Sequence, residues 1–169
     1  MHEYESFDLT SYVARVQNSP CFICNIVAGR DEGHHIVHRD DVAIAFLNRY
    51  PTLYGYTLVA PIEHREQVTG DFSLDEYVEL QKRVYRVAEA LRQELPTERV
   101  YILSLGSQQG NRHVHWHVAP LPPGVPYEEQ QFVALMLEKR GYLKIPAAEM
   151  SELAKRLGGT MADKAQEHG

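Results

Sequence analysis

Three histidines at every second position are the part of this sequence that most directly implies chemistry. Residues 113–119 read His-Val-His-Trp-His-Val-Ala. Because successive side chains of a β-strand point to opposite faces, a strand would place His113, His115 and His117 together on one face. On a helix, at about 100° per residue, the rings would be spread around the axis and share no site. The β-branched and aromatic residues between them favour the strand.

Two kinds of chemistry suit a row of imidazoles. With a reference pKa of about 6.5, imidazole serves near neutral pH as a metal ligand or as a nucleophile and proton carrier. Alternate residues of a strand are roughly 6.5 to 7 Å apart, so one metal ion could bind two neighbours but a third only with strain. Phosphate chemistry fits better, with a nucleophilic central ring and flanking rings that donate to phosphate oxygens. A histidine-decorated surface strand is the simpler alternative, but Thr, Lys or Glu would serve there.

The elements that must position these rings follow from periodicity. Apolar runs predict four further strands, at residues 36–38, 42–47, 56–62 and 100–105. A helix is predicted over residues 74–95, because Ser73 and Glu76 have capping-box spacing and an apolar stripe follows at helical spacing. Residues 9–17 predict a short helix, and residues 106–112 a polar loop. The sequence therefore predicts an α+β fold with a five-stranded, largely antiparallel sheet and one long helix.

The chain after residue 121 predicts helices and no catalytic motif. It opens with a Pro/Gly-rich segment and contains two helical stretches, near residues 127–141 and 147–157. The residues from Gly158 onward are predicted to be frayed.

Composition narrows the class of protein. The 169 residues carry 17 basic and 23 acidic side chains, a formal charge of −6, which argues against binding to polymeric nucleic acid or to a membrane surface. The sequence has no charged, apolar leader and no apolar run of about 18 residues, which predicts a soluble, cytoplasmic protein. Two cysteines at CxxC spacing in a reducing compartment indicate metal binding or redox chemistry before a disulfide.

The histidine run belongs to a longer series of motifs. Upstream of it, in order, are Cys21-Phe22-Ile23-Cys24-Asn25-Ile26-Val27-Ala28-Gly29, Ala45-Phe46-Leu47-Asn48-Arg49-Tyr50-Pro51, Gly55-Tyr56-Thr57-Leu58-Val59-Ala60-Pro61 and His64. With the His-φ-His-φ-His-φ-φ signature, where φ is apolar, this series resembles the histidine triad (HIT) family of nucleotide hydrolases and transferases. The resemblance implies a HIT-like fold and a single HIT domain over residues 1–169, with its core at about 21–120 and a C-terminal helical extension at about 122–158.

The resemblance also implies catalytic roles. His115 would attack the α-phosphorus of a nucleotide and form a nucleotidyl-imidazole intermediate that water releases, and His117 would donate to a nonbridging oxygen or to the leaving group. His113 completes the catalytic set. Backbone carbonyls of a neighbouring strand, or the side chain of His35 or His38, could hold the tautomer of His115, and the sequence does not choose among them.

Nucleotide-binding residues follow from the same resemblance. An apolar slot for the base would be made by Phe22, Ile23, Phe46 and Ile44. Asn48 stands where many members carry a ribose-binding aspartate, and Asn48-Arg49 is similar to the diadenosine-polyphosphate-cleaving (fragile-histidine-triad-like) branch. The side chains that precede the triad offer donors for a polyphosphate, and they are Gln108, Gln109, Asn111 and Arg112.

Cys21 and Cys24 have zinc-ligand spacing and need two further ligands to close a tetrahedral structural site. Relatives with a CxxC pair add a distant histidine and the first triad histidine, which correspond to His64 and His113. Zinc is therefore the expected structural metal, and the substrate could bring Mg²⁺ with it.

Three departures from the family pattern leave the substrate open. Tyr56 replaces a common histidine, the loop before the triad lacks Gly-Gln-Ser/Thr, and Leu121 replaces a frequent arginine. The leading hypothesis is an enzyme that cleaves dinucleoside polyphosphates or related adenylated nucleotides. The alternatives are a non-catalytic nucleotide-binding regulatory protein, and a triad that itself carries a metal. The family further implies a homodimer that uses the helix from Leu74 or a sheet edge.

Overall fold

The computed structural model describes residues 1–167 of the chain. Its strands are β1 (Tyr4–Glu5), β2 (Ile36–Arg39), β3 (Ala43–Leu47), β4 (Thr57–Pro61), β5 (Arg99–Ser107), β6 (Gly110–Leu121) and β7 (Tyr142–Leu143). Its helices are α1 (Leu9–Asn18), α2 (Phe22–Val27), α3 (Leu74–Glu94), α4 (Phe132–Leu135), α5 (Leu137–Arg140) and α6 (Ala147–Glu167), with a 3₁₀ turn at Tyr127–Glu129. No helix within this part of the chain is both long and apolar enough to cross a membrane.

Five strands form one sheet in the order β2-β3-β4-β6-β5, and each neighbouring pair is antiparallel. This confirms the predicted α+β fold and its sheet. The triad strand β6 lies between β4 and β5, with Leu58 opposite His117 and Val59 opposite Trp116. A second sheet of two short strands, β1 and β7, ties the N-terminus to the segment before α6. Strands of two residues carry no periodic signal, so the sequence did not predict them.

Alternation along β6 separates a structural face from a chemical face. Val114, Trp116 and Val118 are buried in a core that also contains Leu80, Val84, Val87 and Leu91 of α3. The histidines point to the opposite face of the sheet, where α2 packs through Ile23 and Ile26. The site is therefore built on a strand whose other side is fixed by the main core.

Helix α3 begins where local chemistry predicts. The Ser73 side chain accepts from the backbone N–H of Glu76, and the Glu76 carboxylate accepts from the N–H of Ser73. This reciprocal cap satisfies two N–H groups that the first helical turn leaves without partners.

Helix α6 is as long as α3, so the sequence was wrong to predict only one long helix. The prediction of fraying from Gly158 is also wrong for residues 158–167, which are helical. Residues 168–169 lie outside the described chain. Glycine in a helix costs about 1 kcal/mol relative to alanine, which is why Gly158 and Gly159 read as an end. At position 158, packing favours glycine over alanine, because a Cβ there would come within 2.6 Å of the Val37 carbonyl oxygen of β2. The glycine allows the close approach of helix and strand.

The loop before the triad is shorter than predicted. Strand β5 continues to Ser107 and β6 starts at Gly110, so Gln108 and Gln109 form the turn between them. Asn111 adopts a positive φ of 55° in β6, and Gly106 opposite has a φ of 132°. Pairing of the two strands shifts register between Leu105 and Ser107.

Candidate functional site: a histidine-lined cavity beside a cysteine–histidine cluster

A cavity of about 790 Å³ opens on the sheet face that carries the histidines. All three triad residues line it, together with six of the predicted nucleotide-binding residues, which are Phe22, Phe46, Asn48, Gln109, Asn111 and Arg112. Ile23, Ile44 and Gln108 do not. Ile23 is fully buried in the core beneath α2, and the Gln108 amide donates weakly, at 3.4 Å, to the Glu66 carbonyl.

One ring nitrogen of His115 forms a hydrogen bond within the described part of the chain, and the other does not. Its Nδ1 lies 2.7 Å from the carbonyl oxygen of His113 and donates to it. The proton is therefore on Nδ1, and Nε2 carries the lone pair. Burial lowers the pKa of His115, so the ring stays neutral near pH 7. The acceptor belongs to β6 itself, so the expectation of a neighbouring strand, His35 or His38 is wrong. His38 instead binds Asp40.

His117 has the opposite tautomer, and Tyr56 sets it. The Tyr56 hydroxyl lies 2.9 Å from His117 Nδ1, and among the described residues it has no other hydrogen-bond partner. A buried hydroxyl is costly without an acceptor, so its proton points to Nδ1. The proton of His117 is then on Nε2, which is buried and has no partner in the described chain. Burial lowers the pKa of His117 to about 3 and raises that of Tyr56.

A cluster of two thiols and two imidazoles borders the cavity. One ligand atom each from Cys21, Cys24, His64 and His113 lies within 4.8 Å of the others. Cys21 caps the N-terminus of α2, which turns both thiols of the CxxC pair to one side, toward β6. His113 Nδ1 is 3.5 Å from the Cys21 sulfur, and His64 Nδ1 is 3.3 Å from the Cys24 sulfur.

The outer nitrogens of both histidines of the cluster are also engaged. His113 Nε2 donates to the Pro61 carbonyl at 2.9 Å, and His64 Nε2 donates to the Glu66 carboxylate at 3.0 Å. Both Nδ1 lone pairs are therefore directed at the centre of the cluster, as in zinc sites with oriented histidines. Burial raises the pKa of Cys24 to about 11, which disfavours the thiolate form. A bound cation would stabilise that thiolate. The donor set fits a tetrahedral metal site.

One end of the cavity is aromatic. The rings of Phe22 and Phe46 meet edge to face at 6.3 Å, and His34 meets Phe46 edge to face at 5.4 Å. Sequence reasoning missed His34 and its neighbour Asp31, which both line the cavity. They lie in the irregular segment between α2 and β2, where no periodicity indicates which side chains turn inward.

The rim of the cavity is built by helix α1, a second feature missed from the sequence. The Asn111 amide donates to the Tyr12 hydroxyl at 2.9 Å, and Arg15 donates to the Tyr50 hydroxyl at 3.2 Å. Arg112 also lines the cavity. Within the described residues, neither Arg15 nor Arg112 forms an ion pair with a carboxylate, so their charge is available to a ligand.

Comparison with known proteins agrees with this geometry. The model of the HIT domain family matches residues 30–123, and the chain belongs to the HIT family. An uncharacterized HIT-like protein of Saccharolobus solfataricus is 31% identical over 140 residues, which cover 81% of this chain and 99% of that protein. An uncharacterized 16.1 kDa HIT-like protein of Mycoplasma pneumoniae is 34% identical over 108 residues, 61% of this chain and 72% of that one.

Solved structures share the fold. A hypothetical histidine triad nucleotide-binding protein of Sulfolobus tokodaii superposes with a TM-score of 0.70 at 22% identity, covering 88% of this chain and 97% of that one. A zinc-bound histidine triad family protein of Mycobacterium smegmatis gives a TM-score of 0.67 at the same identity and the same coverage. HIT proteins are in general nucleotide-binding hydrolases and transferases.

Proposed function

We propose that this protein is a nucleotide hydrolase or nucleotidyl transferase that cleaves at the α-phosphate through a covalent nucleotidyl-histidine. The observation that carries the proposal is the tautomer of His115, whose Nδ1 donates to the His113 carbonyl and leaves Nε2 as a nucleophile in the cavity. A neutral imidazole nitrogen is a competent nucleophile for phosphorus near pH 7.

The neighbouring ring supplies a hydrogen-bond donor to the reacting phosphate, because neutral His117 carries its proton on Nε2. His115 Nε2 forms a bond to the α-phosphorus as the bond from phosphorus to the leaving-group oxygen breaks. His117 Nε2–H donates to that oxygen or to a nonbridging oxygen, where negative charge increases in the transition state. Water then attacks phosphorus and the bond from phosphorus to His115 Nε2 breaks. The proton that the water loses passes to solvent, and the nucleoside phosphate leaves with His115 restored as the neutral Nδ1–H ring.

The rim supports a substrate with several phosphates. Arg15 and Arg112 line the cavity, and neither pairs with a carboxylate of the described residues, although the chain has a formal charge of −6. Guanidinium groups bind phosphate oxygens in paired hydrogen bonds. We therefore favour a dinucleoside polyphosphate, as in the diadenosine-polyphosphate-cleaving branch, over adenylated substrates with an uncharged leaving group.

Replacement of His115 by asparagine tests the catalytic role. The His115→Asn variant should lose at least about 1000-fold in kcat on dinucleoside tri- and tetraphosphates, while its nucleotide affinity changes only a few-fold. The assay should include phosphoramidates and adenylyl sulfate, with and without added phosphate, and trapping of a labelled nucleotidyl-protein. The matched variant His35→Asn lies outside the cavity and should remain active. Wild type that binds nucleotide but never turns over would identify a non-catalytic regulatory protein instead.

We further propose that Cys21, Cys24, His64 and His113 hold a structural zinc ion. When bound, zinc would join α2, the segment after β4 and the start of β6, which carries the nucleophile two residues later. The cluster geometry and its oriented histidines support this.

Metal analysis separates this site from a metal on the triad. Purified wild type should contain zinc, and Cys24→Ser should lose it and lower Tm by several degrees, because an open tetrahedral site binds weakly. His115→Asn should keep its zinc. Zinc that persists in Cys24→Ser but disappears with His115 would place the metal on the triad.

We also propose a homodimer formed through strand β5. This strand is an edge of the sheet, and it exposes Ile102 and Leu105, which are 48% and 55% accessible. An exposed edge with apolar side chains is a template for pairing with a second copy. A cytoplasmic location remains a prediction.

A further inference from the structure

His34 is a polar side chain at the aromatic end of the cavity. Its side chain is only 6% accessible, and its ring lies edge to face on Phe46 at 5.4 Å and 6.3 Å from Phe22. A planar base that enters beside Phe22 and Phe46 therefore meets an imidazole as well as apolar carbon.

Asp31 determines which nitrogen of His34 is protonated. His34 Nδ1 lies 3.1 Å from Asp31 Oδ2. The N–H does not point straight at that oxygen, so the contact is electrostatic more than a well-aligned hydrogen bond. A lone pair on Nδ1 would nevertheless face a carboxylate, and repulsion between them places the proton on Nδ1.

The Asp31 carboxylate is itself held ionised. Its Oδ1 accepts from the backbone N–H of Gly33 at 3.0 Å and lies 3.5 Å from Arg49 Nη2. Burial opposes ionisation of Asp31, but these contacts and His34 lower its pKa overall. Burial lowers the pKa of His34 more than Asp31 raises it, so the imidazole is neutral near pH 7.

His34 Nε2 is thus left with a lone pair and, within the described residues, no hydrogen-bond partner. We propose that His34 selects the base, by accepting a hydrogen bond at Nε2 from an exocyclic amino group, and that Asp31 positions it for this. The preferred base among purines is then a 6-aminopurine. A 6-oxopurine in the same pose would bring a carbonyl oxygen against the imidazole lone pair, and an unsubstituted purine would leave the lone pair unpaired.

This inference rests on the proposed function, because it assumes that the cavity binds a nucleotide. Equilibrium binding tests the role of His34 separately from catalysis, since a binding measurement needs no turnover. The probes are AMP, IMP and purine riboside 5′-monophosphate, and their binding is measured by calorimetry on the purified 169-residue chain as it is isolated. Wild type should bind AMP roughly fivefold more tightly than either analogue, the effect expected of one hydrogen bond.

Three variants complete the test. His34→Phe keeps an aromatic ring but removes the acceptor, and it should bind all three nucleotides equally. His34→Gln keeps an acceptor oxygen and should retain part of the AMP preference, which checks that loss in His34→Phe is not misfolding. His35→Phe, at the neighbouring histidine outside the cavity, should keep the full preference.

The outcomes are distinct. Equal binding of AMP and IMP by wild type, or an unchanged preference in His34→Phe, would overturn the role of His34 and leave the proposed function standing. No binding of any of the three nucleotides would overturn both.

Discussion

At the residue scale, two histidines of the triad differ in tautomer because their hydrogen bonds differ. The His113 carbonyl accepts a hydrogen bond from Nδ1–H of His115, whereas the Tyr56 hydroxyl donates a hydrogen bond to Nδ1 of His117. The first ring therefore presents a lone pair to the cavity and the second an N–H. This pairing of nucleophile and donor follows from backbone and phenol groups that make no contact with the substrate in the proposed mechanism.

Tyr56 is accordingly a positioning residue, and its hydroxyl can be removed without disturbing the core. The Tyr56→Phe variant keeps the buried ring but frees the tautomer of His117, so kcat should fall about tenfold with little change in KM. Steady-state kinetics on a dinucleoside polyphosphate measures this.

Substitution of Tyr56 by histidine offers a control variant, because histidine also carries a hydrogen-bond donor. Tyr56→His should recover most of the lost kcat, because an imidazole N–H can replace the phenol O–H. A Tyr56→Phe enzyme with wild-type kcat would contradict the assigned tautomer of His117.

At the element scale, one carboxylate joins the β2–β3 hairpin to helix α3. Asp40 Oδ1 accepts from the backbone N–H groups of Val42 and Ala43 at 2.9 and 2.8 Å, and Oδ2 accepts from Arg83 Nε at 2.9 Å. Burial by itself would raise the pKa of Asp40, but hydrogen bonds from His38, Ala43, Arg83 and Val42 outweigh it and hold the pKa far below its usual value.

Asp40→Asn should therefore destabilise the protein by about 1 to 2 kcal/mol near neutral pH, since it removes the charge that Arg83 binds. A folded-state pKa below the unfolded value of about 3.9 means that this stabilisation is complete above pH 4 or so and is lost as pH falls further. The difference in unfolding free energy between wild type and Asp40→Asn should shrink from pH 6 to pH 3.

Urea denaturation at each pH measures that difference. Asp41→Asn, at the exposed neighbouring carboxylate, should change the free energy of unfolding little at any of these pH values. A difference between wild type and Asp40→Asn that does not vary with pH would show that the carboxylate charge contributes nothing there.

The helices also differ in how far along the sequence the residues that determine their ends and positions lie. Helix α3 was predicted closely because its cap and apolar stripe lie within its own residues. The predicted helix ended before the end of α6, because the reason for Gly158 inside α6 is its contact with Val37 on a distant strand. Helix α1 was predicted as a helix, but its position over the cavity depends on Tyr50 and Asn111, which are far away in sequence.

At the scale of the whole molecule, two exposed apolar surfaces are candidates for the contact of the proposed homodimer. The edge of β5 exposes Ile102 and Leu105, and the outer face of α3 exposes Leu74, Val78 and Tyr85. We favour the edge because it adds unpaired backbone groups to the apolar side chains. Likewise, a single domain over residues 1–169 stays a prediction, which the packing of α6 against α3 and β2 supports.

Matched charge substitutions distinguish the two surfaces. Ile102→Lys should shift the protein from dimer to monomer in sedimentation experiments, because it buries a charge at the proposed contact, whereas Tyr85→Lys should leave the dimer intact. The opposite result would assign the contact to α3, and a monomeric wild type would exclude both.

The sequence by itself determined that a strand would present three imidazoles on one face, because the alternation of side chains is a property of any strand. It also supplied the four members of the cysteine–histidine cluster, through the family resemblance that their motifs carry. The first conclusion rests on the spacing of residues and the second on motifs that resemble a family, and folding alters neither.

Only the tertiary structure decided the protonation of those imidazoles and the composition of the cavity wall. The His113 carbonyl, the Tyr56 hydroxyl and the Asp31 carboxylate each fix a tautomer through a contact of about 3 Å. His34 reaches the cavity from a segment without periodicity, and contacts with residues far away in sequence place the predicted helix α1 over it. Hydrogen bonds depend on distance and direction in space, and neither is encoded in the separation of residues along the chain.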